Sequence, residues 1–148
     1  MSCIKKVAIA EPLIDGCEKG AVNSSICKIF EVDLYTCKIE DLDFSSAYEL
    51  TFFRNDTVHA LISWFDIYFD RLPNKVEFTT SPFSKQTHWK QVIFYLEQDI
   101  NVEKSEILKG SIAVRKSKVN FRELDVKISY HLMGYNGEYD YNQLYKIH

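Results

Sequence analysis

The sequence RELDVKISYHL, residues 122–132, alternates apolar and polar side chains from Leu124 onward. A period of two residues is typical of a β-strand with one buried face and one solvated face. Asn136-Gly137 follows, a dipeptide that favours the type I′ turn of a two-residue β-hairpin. The sequence therefore predicts a hairpin near its C-terminal end.

Weaker alternation of the same kind recurs upstream and predicts about seven or eight strands with little helix. The remaining expected strands cover residues 30–34, 48–52, 58–70, 76–80, 91–97 and 108–114. Within residues 58–70 the apolar parity changes near Trp64 and Phe65, which predicts a β-bulge or a strong bend there. Lys38–Asp43 predicts an acidic turn or a single helical turn.

These patterns indicate an all-β protein with mainly antiparallel strands, arranged as a distorted β-barrel or sandwich. Residues 1–25 have a different texture and predict a short irregular or helical lead-in, whereas residues 26–148 form the β-barrel domain. A chain of 148 residues is long enough for one domain with a substantial core.

Composition excludes several classes of function. The five glycines are too widely spaced for a GxGxxG dinucleotide loop or a GxxxxGK[ST] phosphate loop. A net charge of −3 and a pI near 5.8 argue against a nucleic-acid binder. No apolar run approaches the roughly 20 residues of a membrane span, so we expect no membrane partner.

The four cysteines, Cys3, Cys17, Cys27 and Cys37, contain no CxxC pair, so we expect no metal site. No signal peptide is visible, and we interpret the cysteines as reduced thiols in a cytoplasmic or nuclear protein. The sequence also lacks a GxSxG nucleophile elbow and an HExxH zinc motif.

One irregular segment carries residue types that favour function. FTTSPFSKQTHWKQ, residues 78–91, joins two expected strands and contains adjacent Thr87, His88 and Trp89. A titratable imidazole and a large aromatic ring on a loop are typical of a binding or catalytic site on a rigid scaffold. From the residues alone, a functional role and a structural role remain equally open.

This segment resembles the Thr-His-Trp loop of the protein arginine N-methyltransferases, most closely that of the type I branch, which forms asymmetric dimethylarginine. Further matches occur in the same order as in that family, from residue 1 to about residue 132. They are Met1–Ile4, Glu11–Leu13, Val32–Thr36, Glu40–Leu42, Arg54–Asp56, Val58–Leu61, Lys90–Leu96, Gly110–Ile112 and Asn120–Asp125.

The resemblance implies an enzyme built from two halves, of which this chain matches only the C-terminal β-barrel half. The Rossmann-like half, which binds S-adenosylmethionine and supplies the catalytic glutamates, has no counterpart here. We therefore expect this chain to bind no cofactor, to hold no complete catalytic set and to transfer no methyl group alone. Arginine-rich proteins are the substrates that the resemblance implies for the full enzyme.

Thr87, His88 and Trp89 take their expected roles from the same resemblance. His88 pairs with an acidic residue of the other half, which favours the imidazolium form and makes His88 a structural tie or a proton acceptor. Trp89 helps to wall the arginine pocket and offers its ring face to the guanidinium. Thr87 positions the loop rather than contacting substrate.

The resemblance also bears on assembly, because the family dimerises through a helical arm that docks on the cofactor half. Residues 1–25 match the trailing part of that arm, and the docking surface has no match. We expect no family-type homodimer of this chain, but weak self-association through exposed apolar surface.

Two alternatives stay open at this point. The chain could be a free-standing, non-catalytic module or decoy that binds arginine-rich partners. It could also be an unrelated small barrel that carries an apolar ligand.

Overall fold

The computed structural model describes residues 9–148, so Cys3 and the matched segment Met1–Ile4 lie outside the described residues. The described chain is mainly β-structure, with two short 3₁₀ helices, Lys19–Ala21 and Ile39–Leu42. Its strands are β1 (Leu13–Asp15), β2 (Phe44–Thr51), β3 (Asp56–Ser63), β4 (Asp66–Phe69), β5 (Val76–Thr79), β6 (Gln91–Val102), β7 (Ile107–Lys116), β8 (Leu124–Gly134) and β9 (Gly137–Ile147).

Within residues 9–148 all strand pairs are antiparallel, and the strands form three sheets rather than one closed barrel. The largest sheet has the order β2-β7-β8-β9, a second has the order β1-β6-β3, and β4 pairs with β5 alone. The predicted all-β, antiparallel class is therefore confirmed, and the barrel is an open one.

The core lies between the two larger sheets and is filled by aliphatic and aromatic side chains. The buried hydrophobic residues are Tyr48, Phe52, Phe94, Leu96, Ile100, Val102, Leu108, Ile112, Val126, Ile128, Tyr130, Leu132, Tyr139 and Tyr145. Val126, Ile128 and Tyr130 are among them, so the alternation of residues 124–132 predicted the buried face of β8 correctly.

A large irregularity in β6 separates the two halves of its pairing with β3. Val58 pairs with Ile100 but Ala60 pairs with Tyr95, so His59 alone faces four residues, 96–99. Gln143 on β9 bonds to the strand at this point: its Oε1 accepts from the Glu97 N–H and its Nε2 donates to the Tyr95 carbonyl, both at 3.0 Å. Side chains of β9 therefore join the two larger sheets where backbone pairing is absent.

The strand expected at residues 30–34 is wrong. Residues 25–33 are irregular, and the Asp33 carbonyl accepts from the N–H groups of Thr36 and Cys37, which forms a turn. Phe30 is held by its ring, which stacks on Phe44 at 4.2 Å between centroids. Residues 30–34 alternate apolar and polar side chains but pair with no strand among the described residues. Alternation alone does not produce the backbone hydrogen bonds of a sheet.

The expected strand at residues 58–70 is two strands, because the chain leaves one sheet at Trp64 and enters another at Asp66. The parity change near Trp64 and Phe65 marks this passage, whereas the register shift lies at Val58–Ala60. The 3₁₀ helix Ile39–Leu42 confirms the predicted turn at 38–43. In the lead-in, β1 is a short strand that the sequence did not predict.

The C-terminal hairpin is confirmed, but the type I′ turn is wrong. Gly134 pairs with Gly137, so the two loop residues are Tyr135 and Asn136. Among the described non-glycine residues only Lys90 and Ser105 have a positive φ, and a type I′ turn requires positive φ at both central residues. Gly137, at φ +129°, takes the left-handed conformation just after the loop.

Across residues 9–148 we find no helix with the length and apolar character that crossing a membrane requires.

Candidate functional site

The loop between β5 and β6, residues 80–90, is fixed at its first residue by Thr80. This side chain is 1% exposed, and its Oγ1 accepts from the Phe65 N–H at 3.0 Å and donates to the Phe65 carbonyl at 3.1 Å. The Thr80 N–H donates to the same carbonyl at 3.0 Å. The loop therefore starts from a point that is rigidly tied to the β3–β4 passage.

Gln91 fixes the other end of the loop. It is 3% exposed; its Nε2 donates to the Thr80 carbonyl at 2.7 Å, and its Oε1 accepts from the Cys17 N–H at 2.6 Å. A buried amide with both ends paired holds its partners strongly, because breaking either bond leaves a buried polar group without water. The two ends of the loop and the N-terminal segment thus meet at one side chain.

Lys90 shapes the last turn of the loop. Its backbone is left-handed, with φ 55°, and its N–H donates to the Thr87 carbonyl at 3.3 Å. Its Nζ lies 2.7 Å from Oδ1 of Asp15, and this hydrogen bond holds the pKa of the Asp15 carboxyl below its usual value, with help from the Gly16 N–H. The turn therefore directs residues 88 and 89 outward.

Trp89 stands at the surface on an aromatic support. Its ring stacks on Phe78 at 5.5 Å and 26°, and meets Phe65 edge to face at 6.3 Å and 74°. The indole is nevertheless 57% exposed. A large ring that is braced on one side and open on the other can accept a flat or cationic group on its free surface.

His88 is exposed and lies edge to face with Trp89 at 6.2 Å between centroids. Within residues 9–148 it makes no ion pair. Oγ1 of Thr87 is buried and has no hydrogen-bond partner among the same residues. The structure thus brings His88 and Trp89 together on one surface and turns Thr87 inward.

Sequence reasoning singled out the three residues at the tip and missed those that hold them. Thr80, Gln91, Phe65 and Phe78 support the tip. One available signal was a glutamine at the first position of a strand whose next residues are apolar. The chain described here contains no group of three or more His, Cys, Asp or Glu side chains placed to hold a metal ion.

Comparison with known proteins identifies relatives along almost the whole chain. The sequence model of a family described as the arginine methyltransferase oligomerization subdomain matches residues 1–135. Protein arginine N-methyltransferase 1 of Schizosaccharomyces pombe is 47% identical over 129 residues, which are 87% of this chain and 38% of that protein. The protein of the same name from Chlamydomonas reinhardtii is 44% identical over 147 residues, 99% of this chain and 43% of that protein.

A solved structure gives the same answer for the fold. A chain of the Trypanosoma brucei PRMT1 enzyme–prozyme heterotetrameric complex with AdoHcy superposes with a TM-score of 0.93 at 26% identity, covering 96% of this chain and 45% of that one. This chain therefore spans less than half the length of the relatives it matches.

Proposed function

This chain belongs to the protein arginine methyltransferase family, as its C-terminal, β-rich subdomain, and we propose that it supplies the substrate-side wall of an arginine-methylating active site. The methyl donor in this proposal is S-adenosylmethionine, held by a cofactor-binding half that this chain does not resemble. The substrates are arginine-rich proteins, and the complete enzyme works in the cytoplasm or the nucleus. The chain alone binds no cofactor and transfers no methyl group.

The observation that carries this proposal is the braced but open ring of Trp89. Phe78 and Phe65 support the indole, which leaves more than half of it exposed to a ligand. A guanidinium is planar and weakly hydrated, so it gains from stacking on such a ring and from the attraction of a cation to the ring quadrupole. Trp89 would thus orient the arginine for methyl transfer.

His88 and Thr87 take supporting roles in this proposal. His88 is exposed beside Trp89 and has no acidic partner among residues 9–148, which suits a side chain that pairs with a carboxylate of the cofactor-binding half. Thr87 faces inward and positions the loop. Residues 1–25 would form the trailing part of a dimerisation arm.

A chimera tests the proposal directly. This chain replaces the matching region of the Schizosaccharomyces pombe relative, and methyl transfer from labelled S-adenosylmethionine to an arginine-rich protein is measured. Because the ring contact is a cation–π and stacking interaction, we expect Trp89→Ala to reduce kcat/KM by roughly ten-fold or more. Phe53→Ala is the matched control, since Phe53 is also 57% exposed but does not belong to the loop.

Equal activity of the Trp89→Ala chimera and its parent would remove Trp89 from the pocket. A free-standing binding module is the alternative function, in which the isolated chain retains arginine-rich peptides but the chimera is inactive. Light scattering checks the expected assembly: we expect the 148-residue chain alone to form no family-type homodimer, although its family model is described as an oligomerization subdomain.

A further inference from the structure

Residues 15–19, which we call the strap, begin at the end of β1 and lie beside the β5–β6 loop. Asp15 is the last residue of β1 and pairs with Gln91, the first residue of β6. At Gly16 the strap lies against the side chain of Gln86, whose Nε2 would be only 1.9 Å from a Cβ at that position. The strap therefore contacts the loop both near its middle and at its end.

Elsewhere the strap and the loop are separated by an open, polar depression of about 440 Å³. Its walls include Glu18 and Lys19 of the strap and Ser81 and Ser84 of the loop. The Lys19 ammonium lies 6.0 Å from the centre of the Phe83 ring, at the outer limit of a cation–π contact. Because apolar packing contributes little here, the loop is held against the strap mainly by polar contacts near Gln91.

One of these polar contacts, the ion pair of Asp15 and Lys90, acts on the residue next to Trp89. Nζ of Lys90 lies 2.7 Å from Oδ1 of Asp15. The same oxygen accepts from the Gly16 N–H at 2.8 Å, so the carboxylate is held by its own backbone as well. The hydrogen bond from Lys90 is the largest cause of the lowered pKa of Asp15. The carboxylate is thus a fixed anchor for the lysine side chain.

Lys90 needs such an anchor because its backbone conformation is unfavourable. Its φ of 55° lies in the left-handed region, which a lysine adopts only at an energetic cost. The hydrogen bond that closes this turn, from the Lys90 N–H to the Thr87 carbonyl, is long at 3.3 Å. Trp89 directly precedes Lys90, so a change in the turn changes the direction of the indole.

We propose that Asp15 is a positioning residue for the arginine site, whose carboxylate holds Lys90 and thereby keeps the Trp89 indole in the orientation that receives the guanidinium. The inference rests on the proposed function, because Asp15 acts through Trp89 and does not itself contact the substrate. A small displacement of a substrate-positioning group can slow a reaction strongly. An exposed ion pair adds little to stability, so its loss should affect methyl transfer far more than unfolding.

The chimera with the Schizosaccharomyces pombe relative tests this role. We expect Asp15→Asn to lower kcat/KM for an arginine-rich protein about five-fold, with an unchanged KM for S-adenosylmethionine and an unchanged melting temperature. The exchange of both residues, Asp15→Lys with Lys90→Asp, should recover most of the activity. It restores the pair with reversed polarity, and aspartate tolerates a left-handed backbone better than most residues.

Glu49→Gln is the matched control. Glu49 forms a similar exposed pair with Lys109 at 3.1 Å, but the pair joins β2 to β7 in the four-stranded sheet and does not reach the loop. We expect this variant to keep the parent activity. A wild-type level of activity in Asp15→Asn, equal to that of Glu49→Gln, would overturn the positioning role.

A spectroscopic measurement on the 148-residue chain detects the reorientation without catalysis. The chain has two tryptophans, so a nitrogen–proton NMR spectrum of the labelled protein contains two indole N–H signals, from Trp64 and Trp89. We expect Asp15→Asn to move the Trp89 signal more than the Trp64 signal, and Glu49→Gln to move neither. An unmoved Trp89 signal in Asp15→Asn would show that the ion pair does not orient the ring.

Addition of Asp15→Asn to the Trp89→Ala chimera separates the two proposals. If Asp15 acts through Trp89, the second substitution lowers kcat/KM little further, because residues that act as one unit are not additive. Independent losses, or no recovery in the exchanged variant, overturn the positioning role and leave the substrate-wall function standing. A Trp89→Ala chimera as active as its parent overturns the substrate-wall function, and the positioning role with it.

Discussion

The side-chain amide of Gln91 donates a hydrogen bond of 2.7 Å to the carbonyl oxygen of Thr80, which joins the first residue of β6 to the residue after β5. The loop that carries His88 and Trp89 is therefore closed at its base. Because Gln91 also accepts from the Cys17 N–H, the N-terminal segment is part of the same closure. This buried amide therefore helps to place the two tip residues, together with the rings of Phe65 and Phe78 that support Trp89.

We predict that Gln91→Ala lowers the free energy of unfolding by about 2–3 kcal/mol, because the Thr80 carbonyl and the Cys17 N–H both lose their partner in a buried setting. Urea unfolding followed by circular dichroism measures the change. Gln98→Ala is the control: Gln98 is exposed, and its truncation should change stability by less than about 0.5 kcal/mol. Equal effects of the two substitutions would contradict the assigned role.

Two buried tyrosines should respond differently to loss of their hydroxyl groups. Tyr145 donates to the Tyr95 carbonyl at 3.0 Å, whereas the hydroxyl of Tyr130 has no partner among residues 9–148. We expect Tyr145→Phe to cost about 1 kcal/mol of stability and Tyr130→Phe to be neutral or slightly stabilising. Thermal unfolding of both variants checks this, and the reverse order would contradict it.

Gly110 has no room for a side chain. A Cβ there would collide with the Ser129 carbonyl and lie 2.5 Å from the Tyr48 ring, and both neighbours are held in the core sheet. We predict that Gly110→Ala costs about 1–3 kcal/mol through overpacking. Gly20→Ala is the matched control, since nothing lies within 4 Å of its Cβ position. An unchanged stability of Gly110→Ala would mean that β2 and β8 can shift apart to accommodate the added methyl group, which would contradict the prediction.

Alkaline pH should destabilise the fold. Burial raises the pKa of Tyr130 to about 12 and raises the pKa of Tyr48 and of Tyr145 even further. A raised folded-state pKa means that the native state keeps its proton longer than the unfolded state does. The stability due to the neutral phenols is therefore complete below about pH 10, the usual tyrosine pKa, and declines as the pH rises above it.

Urea unfolding at a series of pH values, with tyrosinate absorbance recorded in parallel, measures this decline. Each phenol should contribute a slope of about 1.4 kcal/mol per pH unit while it is ionised only in the unfolded chain. Tyr130→Phe should remove one such contribution. An unchanged free energy of unfolding from about pH 9 to about pH 11.5 would be inconsistent with the buried neutral phenols.

The sequence predicted most strands because one face of each is buried against a common core. Val126, Ile128 and Tyr130 alternate with solvated residues for that reason. Phe30 and Leu34 showed the same alternation, yet Leu34 is 77% exposed and its segment pairs with no described strand. Periodicity reports which side chains prefer burial, but a strand also needs a neighbour, and that neighbour is distant in sequence.

In the candidate site, too, some residues could be predicted from the sequence and others could not. The tip residues Thr87, His88 and Trp89 could be proposed from their types and from a family resemblance, and their functional roles stay predictions. The position of Gln91 at the start of an apolar strand was a signal for a buried polar role, but no local pattern encodes its contact with Cys17, which is 74 residues away. Contacts between residues that are distant in the sequence cannot be predicted from a single sequence.

The junction at Gln143 has a consequence for how the two larger sheets come apart. A backbone ladder opens residue by residue, but this junction depends on a few side chains that reach across from β9 to β6. The Glu97 amide should therefore exchange its proton with solvent sooner than the amides at the centre of β8, which have ladder bonds on both sides. The two larger sheets would then separate locally at the junction of β6 and β9, while each sheet keeps its own backbone hydrogen bonds.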